Sequence, residues 1–200
     1  MSRRMGTPKA LLPLGDAPLL ARVVAPTLEA RLIHPVVIVT GHQADQIRRA
    51  MDGCDVQFVH NPEYEEGEML SSVKAGVAAV AGCCDAFFLV LGDQPLVEAS
   101  TYLKLIKTRR ERRRIIQPTF DGRRGHPILI PSEFANEILS LPHDATLKTF
   151  TSAHRADTIE ICVDDGGILA DIDTPDDYHR ALQNFLPHRS RPCINPMATV

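Results

Sequence analysis

No apolar run in the 200 residues approaches the roughly 20 that a membrane-spanning helix needs, so no membrane partner is expected. The basic start lacks the apolar core of a secretory signal peptide. Charge of one sign is not in excess: 22 lysines and arginines stand against 25 acidic residues, a formal net charge of −3. That balance gives no general reason to expect nucleic acid as a partner. The densest basic run, Lys107 to Arg114, lacks the interleaved aromatics of a single-strand binder. It reads as the solvated end of a helix, where cations complement the dipole. Cysteines are few: Cys54, Cys83, Cys84, Cys162 and Cys193 are odd in number and form no Cys-x-x-Cys pair. Neither a disulfide framework nor a zinc site is indicated, and free thiols fit a reducing, cytoplasmic setting. What remains is ordinary for a globular domain, 44% hydrophobic and 24% charged, and long enough to bury one full core.

Hydrophobic periodicity alternates between two types. Leu19 to Leu32 has helical spacing, with Pro26 placed to kink or shorten it. Val36–Val39 is a β-branched run that reads as a buried parallel strand. Further helices are predicted over Gln43–Met51, Leu70–Val80, Ala99–Arg110, Ser132–Leu139 and from Thr174-Pro175 to Phe185. Further strands are predicted over Val56–Val59, Ala86–Leu91, Ile115–Pro118, Pro127–Ile130 and Thr158–Val163. Strands separated by helices of this length imply an α/β sandwich with a mostly parallel sheet. From Pro187 to Val200 periodicity is lost and the chain reads as a disordered tail. In such a sheet ligands bind outside the carboxyl ends of the strands.

The unusual residues fall in those loops. The opening Ser2-Arg3-Arg4-Met5-Gly6-Thr7-Pro8-Lys9 is too irregular for one helix or strand. Its backbone N–H groups can face phosphate oxygens, and Arg4 and Lys9 can neutralise a polyphosphate. It also has the composition of a plain basic terminus. Asp93 follows the apolar Ala86–Leu91 run within Gly92-Asp93-Gln94-Pro95, at the rim of the sheet. There it can coordinate Mg²⁺, a hard cation that prefers oxygen, or shape a turn. In Asp171-Ile172-Asp173-Thr174-Pro175-Asp176-Asp177, Thr174 suits the N-cap, Pro175 the first helical position and Asp177 the capping-box position. Capping does not require Asp171 and Asp173, which share one face if extended. Ser71 and Ser72 can cap the Ala-rich helix or bind a ligand. Gly122-Arg123-Arg124-Gly125-His126-Pro127 is a turn whose glycines permit close backbone approach, with His126 as a donor to an anion. Thr40-Gly41-His42 reads as a strand-to-helix turn.

Taken together, Ser2-Arg3-Arg4-Met5-Gly6-Thr7-Pro8-Lys9, Gly92-Asp93-Gln94-Pro95 and Asp171-Ile172-Asp173-Thr174-Pro175 resemble the motifs of the MobA-like nucleotidyltransferases. These are the molybdenum-cofactor guanylyl- and cytidylyltransferases and their relatives. The likeness covers about residues 1–186 as one nucleotidyltransferase domain. It implies a three-layer, Rossmann-like fold of the nucleotide-diphospho-sugar transferase type. It also implies Mg²⁺ as cofactor, held by Asp93 and Asp173 with Asp171 in support, and a nucleoside triphosphate, CTP or GTP, bound by Ser2, Arg3, Arg4, Gly6, Lys9 and Asp93. The Met69–Gly76 stretch is similar to the family's Gly-Met-x-Ser-Ser-x-x-x-Gly element, with one extra residue after Gly67, and implies roles for Ser72, Ser71 and Gly67 near base and ribose. Gly125-His126-Pro127 resembles the acceptor-side motif of the cytidylyltransferase-like branch and tilts the nucleotide toward CTP. The implied reaction moves CMP or GMP onto a phosphorylated acceptor, the molybdopterin cofactor first among them, with Arg4, Lys9 and Asp93 as catalytic groups. A molybdoenzyme or its maturation chaperone is a further implied partner. A sugar phosphate as acceptor and a nucleotide-binding subunit without turnover are the alternatives. The family's Leu-Ala-Ala-Gly strand, which precedes the basic segment and lies centrally in the sheet, has no counterpart in the sequence. A gap in the sheet is therefore expected, from a start upstream of Met1 or a truncated copy.

Overall fold

Successive side chains of a strand point to opposite faces, and here both faces are apolar, so both must be covered. The computed structural model describes residues 8–31, 33–66, 68–111 and 114–185. The first strands among the described residues form a ribbon of β1 (Pro13–Leu14) and β2 (Ala17–Pro18), turned at Gly15 with φ 71°. Then follow α1 (Leu19–Glu29), β3 (Val37–Thr40), α2 (Ala44–Ala50), β4 (Gln57–His60), α3 (Glu68–Val80), β5 (Ala86–Leu89) and α4 (Ala99–Glu111). The second half contains β6 (Ile115–Phe120), β7 (Arg123–Arg124), β8 (Ile128–Pro131), α5 (Ala135–Ser140), α6 (Leu147–Ala153), β9 (Thr158–Cys162) and α7 (Pro175–Phe185).

β3 and β4 pair in parallel, from Val37 opposite Gln57 to Thr40 opposite His60. A larger sheet runs β5-β8-β6-β7, with β9 parallel to β6 and β8 antiparallel to both β5 and β6. Alternation sorts the side chains into two layers. Phe87, Ile115, Ile128 and Ile130 pack with Val73 and Val77 of α3, Ile138 of α5 and Phe150 of α6. On the other face Ile116 and Leu129 meet Leu105 of α4, while Ile38 joins Leu20 and Val24 of α1 and Ala181 of α7. Each such apolar side chain contributes about 1.5–3 kcal/mol on burial. The α/β sandwich expected from the sequence is thus the fold, with antiparallel members added around β8.

Local chemistry explains the departures from periodicity. α1 continues through the buried Pro26 to Glu29 and stops where Arg31 takes a left-handed φ of 51°. α6 carries a capping box between Thr146 and Thr149; with Thr in the place of the usual Glu or Gln, its start is inconspicuous in the sequence. At α7 the expected cap is realised. The N–H groups of Asp173 and Thr174 donate to the Asp177 carboxylate at 3.2 and 2.8 Å, and the Asp177 N–H donates to Thr174 Oγ1 at 3.2 Å. The Thr174 hydroxyl, helped by these N–H groups, holds the Asp177 carboxyl down to about 2. Among the described residues no helix is long and apolar enough to cross a membrane. The expected tail, residues 187–200, lies outside the described residues.

Candidate active site

Three loops meet beyond the carboxyl ends of the strands: the turn at Lys9, the loop after β5, and the segment that leads into α7. The Lys9 ammonium donates to Asp93 Oδ2 at 3.0 Å and to Asp173 Oδ1 at 2.9 Å. A main-chain bond ties the two acidic loops, the Ile172 N–H donating to the Asp93 carbonyl at 3.0 Å. Ile172 is buried between the exposed Asp171 and Asp173, the alternation an extended segment imposes. Burial alone would lower the Lys9 pKa, but its hydrogen bonds to Asp173 and Asp93 outweigh that and hold it above the ordinary lysine value.

Lys9 therefore marks where two carboxylates from distant loops converge on one positive charge. Carboxylate oxygens are hard donors, and Mg²⁺ is usually held by one or two carboxylates, waters and substrate phosphates. The residues present fit such an ion. Among the described residues no group of three or more His, Cys, Asp or Glu gathers for a metal, so the remaining ligands fall to phosphate and water.

Asp171 is held differently. The Gln94 side-chain amide donates to Asp171 Oδ1 at 2.7 Å and to the Ile168 carbonyl at 3.1 Å. Gln94 is buried, and its Oε1 has no partner among the described residues. The Ile168 carbonyl also accepts the His126 N–H at 3.2 Å, which fixes the Gly125-His126-Pro127 turn beside the acidic loops. A Cβ on Gly125 would lie 2.4 Å from that carbonyl oxygen, so only glycine fits there without displacement. Burial lowers the His126 pKa, opposed in part by Asp171 and Asp93. The ring is thus neutral near pH 7 and within the field of both carboxylates.

Ser72 lines the same cleft as Lys9, Gly92 and Asp93, whereas Ser71 is buried. Asn61 donates to both hydroxyls, at 2.8 Å to Ser71 and 3.0 Å to Ser72. Because α3 starts at Glu68, the two serines lie inside its first turns and do not serve as its N-cap. Gln94 and Asn61 were not singled out from the sequence. Gln94 sits in a motif that doubles as turn chemistry, and Asn61 reads locally as a turn residue, its Oδ1 accepting the Glu63 N–H at 3.0 Å, while its bonds to the serines span ten and eleven positions. Thr40-Gly41-His42 is the expected turn, where a Cβ on Gly41 would lie 2.4 Å from Tyr64 Cβ. The candidates Ser2, Arg3, Arg4, Gly6 and Gly67 lie outside the described residues.

Comparison with known proteins identifies the family. A MobA-like NTP transferase domain matches residues 1–158. The chain is 28% identical over 186 residues to the molybdenum cofactor cytidylyltransferase of Escherichia coli, covering 92% of both chains. Among solved structures it is similar to the Rv0371c homologue of Mycobacterium sp. strain JC1, with 30% identity, TM-score 0.75 and coverage of 92% and 91%. It is also similar to Rv0371c of Mycobacterium tuberculosis in complex with manganese, with 28% identity, TM-score 0.72 and coverage of 89% and 93%. With the matched domain spanning most of its length and the acidic loops arranged around Lys9, the chain belongs to the MobA-like NTP transferase family and is a nucleotidyltransferase.

Proposed function

We propose that the protein transfers CMP, or less readily GMP, from the nucleoside triphosphate to a phosphorylated acceptor of the molybdopterin-cofactor type, in a reaction that depends on Mg²⁺ or Mn²⁺ and releases pyrophosphate. The observation that carries this reading is the convergence of Asp93 and Asp173 on a single cation, the Lys9 ammonium, at 3.0 and 2.9 Å. The similarity to the E. coli cytidylyltransferase and the Gly125-His126-Pro127 turn support the choice of CTP and acceptor.

An oxygen of the acceptor phosphate attacks the α-phosphorus, the bond from that phosphorus to the bridging oxygen breaks, and pyrophosphate leaves with the electron pair. The attacking phosphate is largely ionised near neutrality, its second pKa being about 6, so no strong general base is required. Catalysis is then positional and electrostatic. When bound, the divalent ion supplies charge neutralisation on the phosphate oxygens. Asp93 and Asp173 hold it, Lys9 and Arg4 counter the charge of the triphosphate and the departing pyrophosphate, and Ser72 with Asn61 borders the nucleoside. His126, neutral and beside the acidic loops, orients the acceptor phosphate without adding charge. Gln94 keeps Asp171 in place through its amide hydrogen bond.

A pyrophosphate-release assay tests the reading. CTP and GTP are each supplied with Mg²⁺ or Mn²⁺, and with molybdopterin or a sugar 1-phosphate as acceptor. The expected result is release that requires metal and is fastest with CTP and molybdopterin. Turnover on the sugar phosphate alone, or tight nucleotide binding without turnover, contradicts it.

A further inference from the structure

The loop that carries Asp93 and the segment that carries Asp173 run side by side in opposite directions. As one ascends from 93 to 98, its partners on the other descend from 172 to 165. The Ile172 N–H donates to the Asp93 carbonyl at 3.0 Å. The Gln94 amide donates to Asp171 Oδ1 at 2.7 Å and to the Ile168 carbonyl at 3.1 Å. Gly167 lies so close to Leu96 that a Cβ on it would be 2.3 Å from the Leu96 carbonyl oxygen. At the far end the Glu98 N–H donates to Asp165 Oδ2 at 2.9 Å. The two segments are thus laced along their length, with the paired carboxylates at one end and Asp165 at the other.

Asp165 is unlike the other acids. Among the described residues it is the one buried carboxylate, 5% exposed. A buried charge has to be hydrogen-bonded, and its two oxygens are bound to different segments. Oδ1 accepts the Gly167 N–H at 2.9 Å and so caps its own 3₁₀ turn, Gly166–Leu169. Oδ2 accepts the Glu98 N–H and, at 2.6 Å, the Thr101 hydroxyl. Both donors stand at the amino end of α4, where the helix dipole favours negative charge. A cap alone needs one acceptor, and Ser or Asn would supply it. The second oxygen does something the cap does not require: it grips the far end of the Asp93 loop.

Only one register satisfies both oxygens. A slip of one residue between extended segments would displace Asp173 from Asp93 by about 3.3 Å. Oxygen ligands lie about 2.0–2.6 Å from a shared divalent ion, so such a slip would dissolve the pair. The Ile168 carbonyl, which accepts the His126 N–H at 3.2 Å, belongs to the same laced stretch, so the acceptor turn takes its position from it too.

We propose that Asp165 is a positioning residue of the transferase: its carboxylate sets the register of the two segments and with it the spacing of Asp93 and Asp173. The inference rests on the reading that these two hold the divalent ion.

Two variants test it. Asp165→Asn keeps the shape but turns an NH₂ group toward one of the donors. Thr101→Val removes one donor and leaves the carboxylate. Ile138→Val, a trim in the α5 core away from both segments, is the comparison for plain loss of stability. Amide hydrogen exchange at Ile172 is followed in the ligand-free protein against the core amides of Ile116 and Leu129. In Asp165→Asn the Ile172 amide is expected to exchange about tenfold faster relative to the core. The Mn²⁺ dissociation constant should rise about tenfold, the low end for groups that orient metal ligands. In turnover kcat should fall, with the KM for CTP at saturating Mn²⁺ nearly unchanged. Thr101→Val should shift exchange and affinity the same way by less, and Ile138→Val should lower Tm and shift neither. Ile172 exchange that merely follows the core overturns the proposal, as does parental Mn²⁺ affinity or an equal shift in Ile138→Val. If Asp165→Asn does not fold, Thr101→Val decides: parental exchange and affinity there overturn it. Exchange is read without metal, nucleotide or acceptor, so a parent that releases no pyrophosphate would refute the proposed function and leave this result readable.

Discussion

Asp93→Ala is expected to lower kcat for metal-dependent nucleotidyl transfer by about 10²–10³, the loss that follows removal of one preorganised electrostatic group at developing charge. The same variant should lose Mn²⁺ affinity and keep its fold. Its side chain is 29% exposed and its hydrogen-bond partner is Lys9. The bond that ties the loops uses the Asp93 main-chain carbonyl, which accepts from Ile172 and survives the substitution. Stability should therefore stay within about 0.5 kcal/mol of the parent. Steady-state kinetics, Mn²⁺ titration and thermal unfolding check the three parts. Full activity would remove Asp93 from the chemistry, and an unfolded variant would assign it a structural role.

Gly125→Ala is expected to destabilise the protein by about 1–3 kcal/mol, the usual cost of forcing an added methyl into a packed site. The added carbon would meet Ile168 at its carbonyl oxygen, 2.4 Å away, and at Cγ1, 2.7 Å away. That carbonyl accepts from both the His126 N–H and the Gln94 amide, so relieving the clash moves the acceptor turn and the Gln94–Asp171 contact together. The kinetic signature should be a raised KM for the acceptor with the KM for CTP nearly unchanged. An equal rise in both, or neither, would separate Gly125-His126-Pro127 from acceptor binding.

How far the sequence discloses this molecule depends on the range of the interaction. α7 is legible because its cap, first turn and apolar face lie within a dozen residues, and it begins at Pro175 as read. β5 is legible because Ala86–Leu91 is apolar throughout, the pattern of a strand covered on both faces. Antiparallel β8 is less so, since direction is set by partners at Ala86–Leu89 and Ile116 and leaves no local trace. α6 is short, and its Thr146–Thr149 cap is atypical. In the site, Lys9, Asp93 and Asp173 were named from motifs, and the structure brings them together across 84 and 164 positions. Gln94 reaches Ile168 and Asp171 across the fold, and Asn61 has the composition of a turn residue, so neither could be ranked above other polar loop residues. Within the Lys107–Arg114 run, Lys107 and Arg114 are exposed as composition suggests, whereas Arg109 lines the cleft and its Nε is buried.

In the proposed reaction, carboxylates from two remote loops share one divalent ion beside the triphosphate. A crystal structure of the protein with Mn²⁺ and CTP, read by anomalous scattering at the manganese edge, is the decisive experiment. The expected result is one strong peak within about 2.0–2.6 Å of an oxygen of Asp93 and an oxygen of Asp173, in contact with the triphosphate, and the Lys9 ammonium released from at least one carboxylate onto phosphate oxygen. A manganese peak elsewhere, or Lys9 still bridging Asp93 and Asp173 with nucleotide bound, would contradict it.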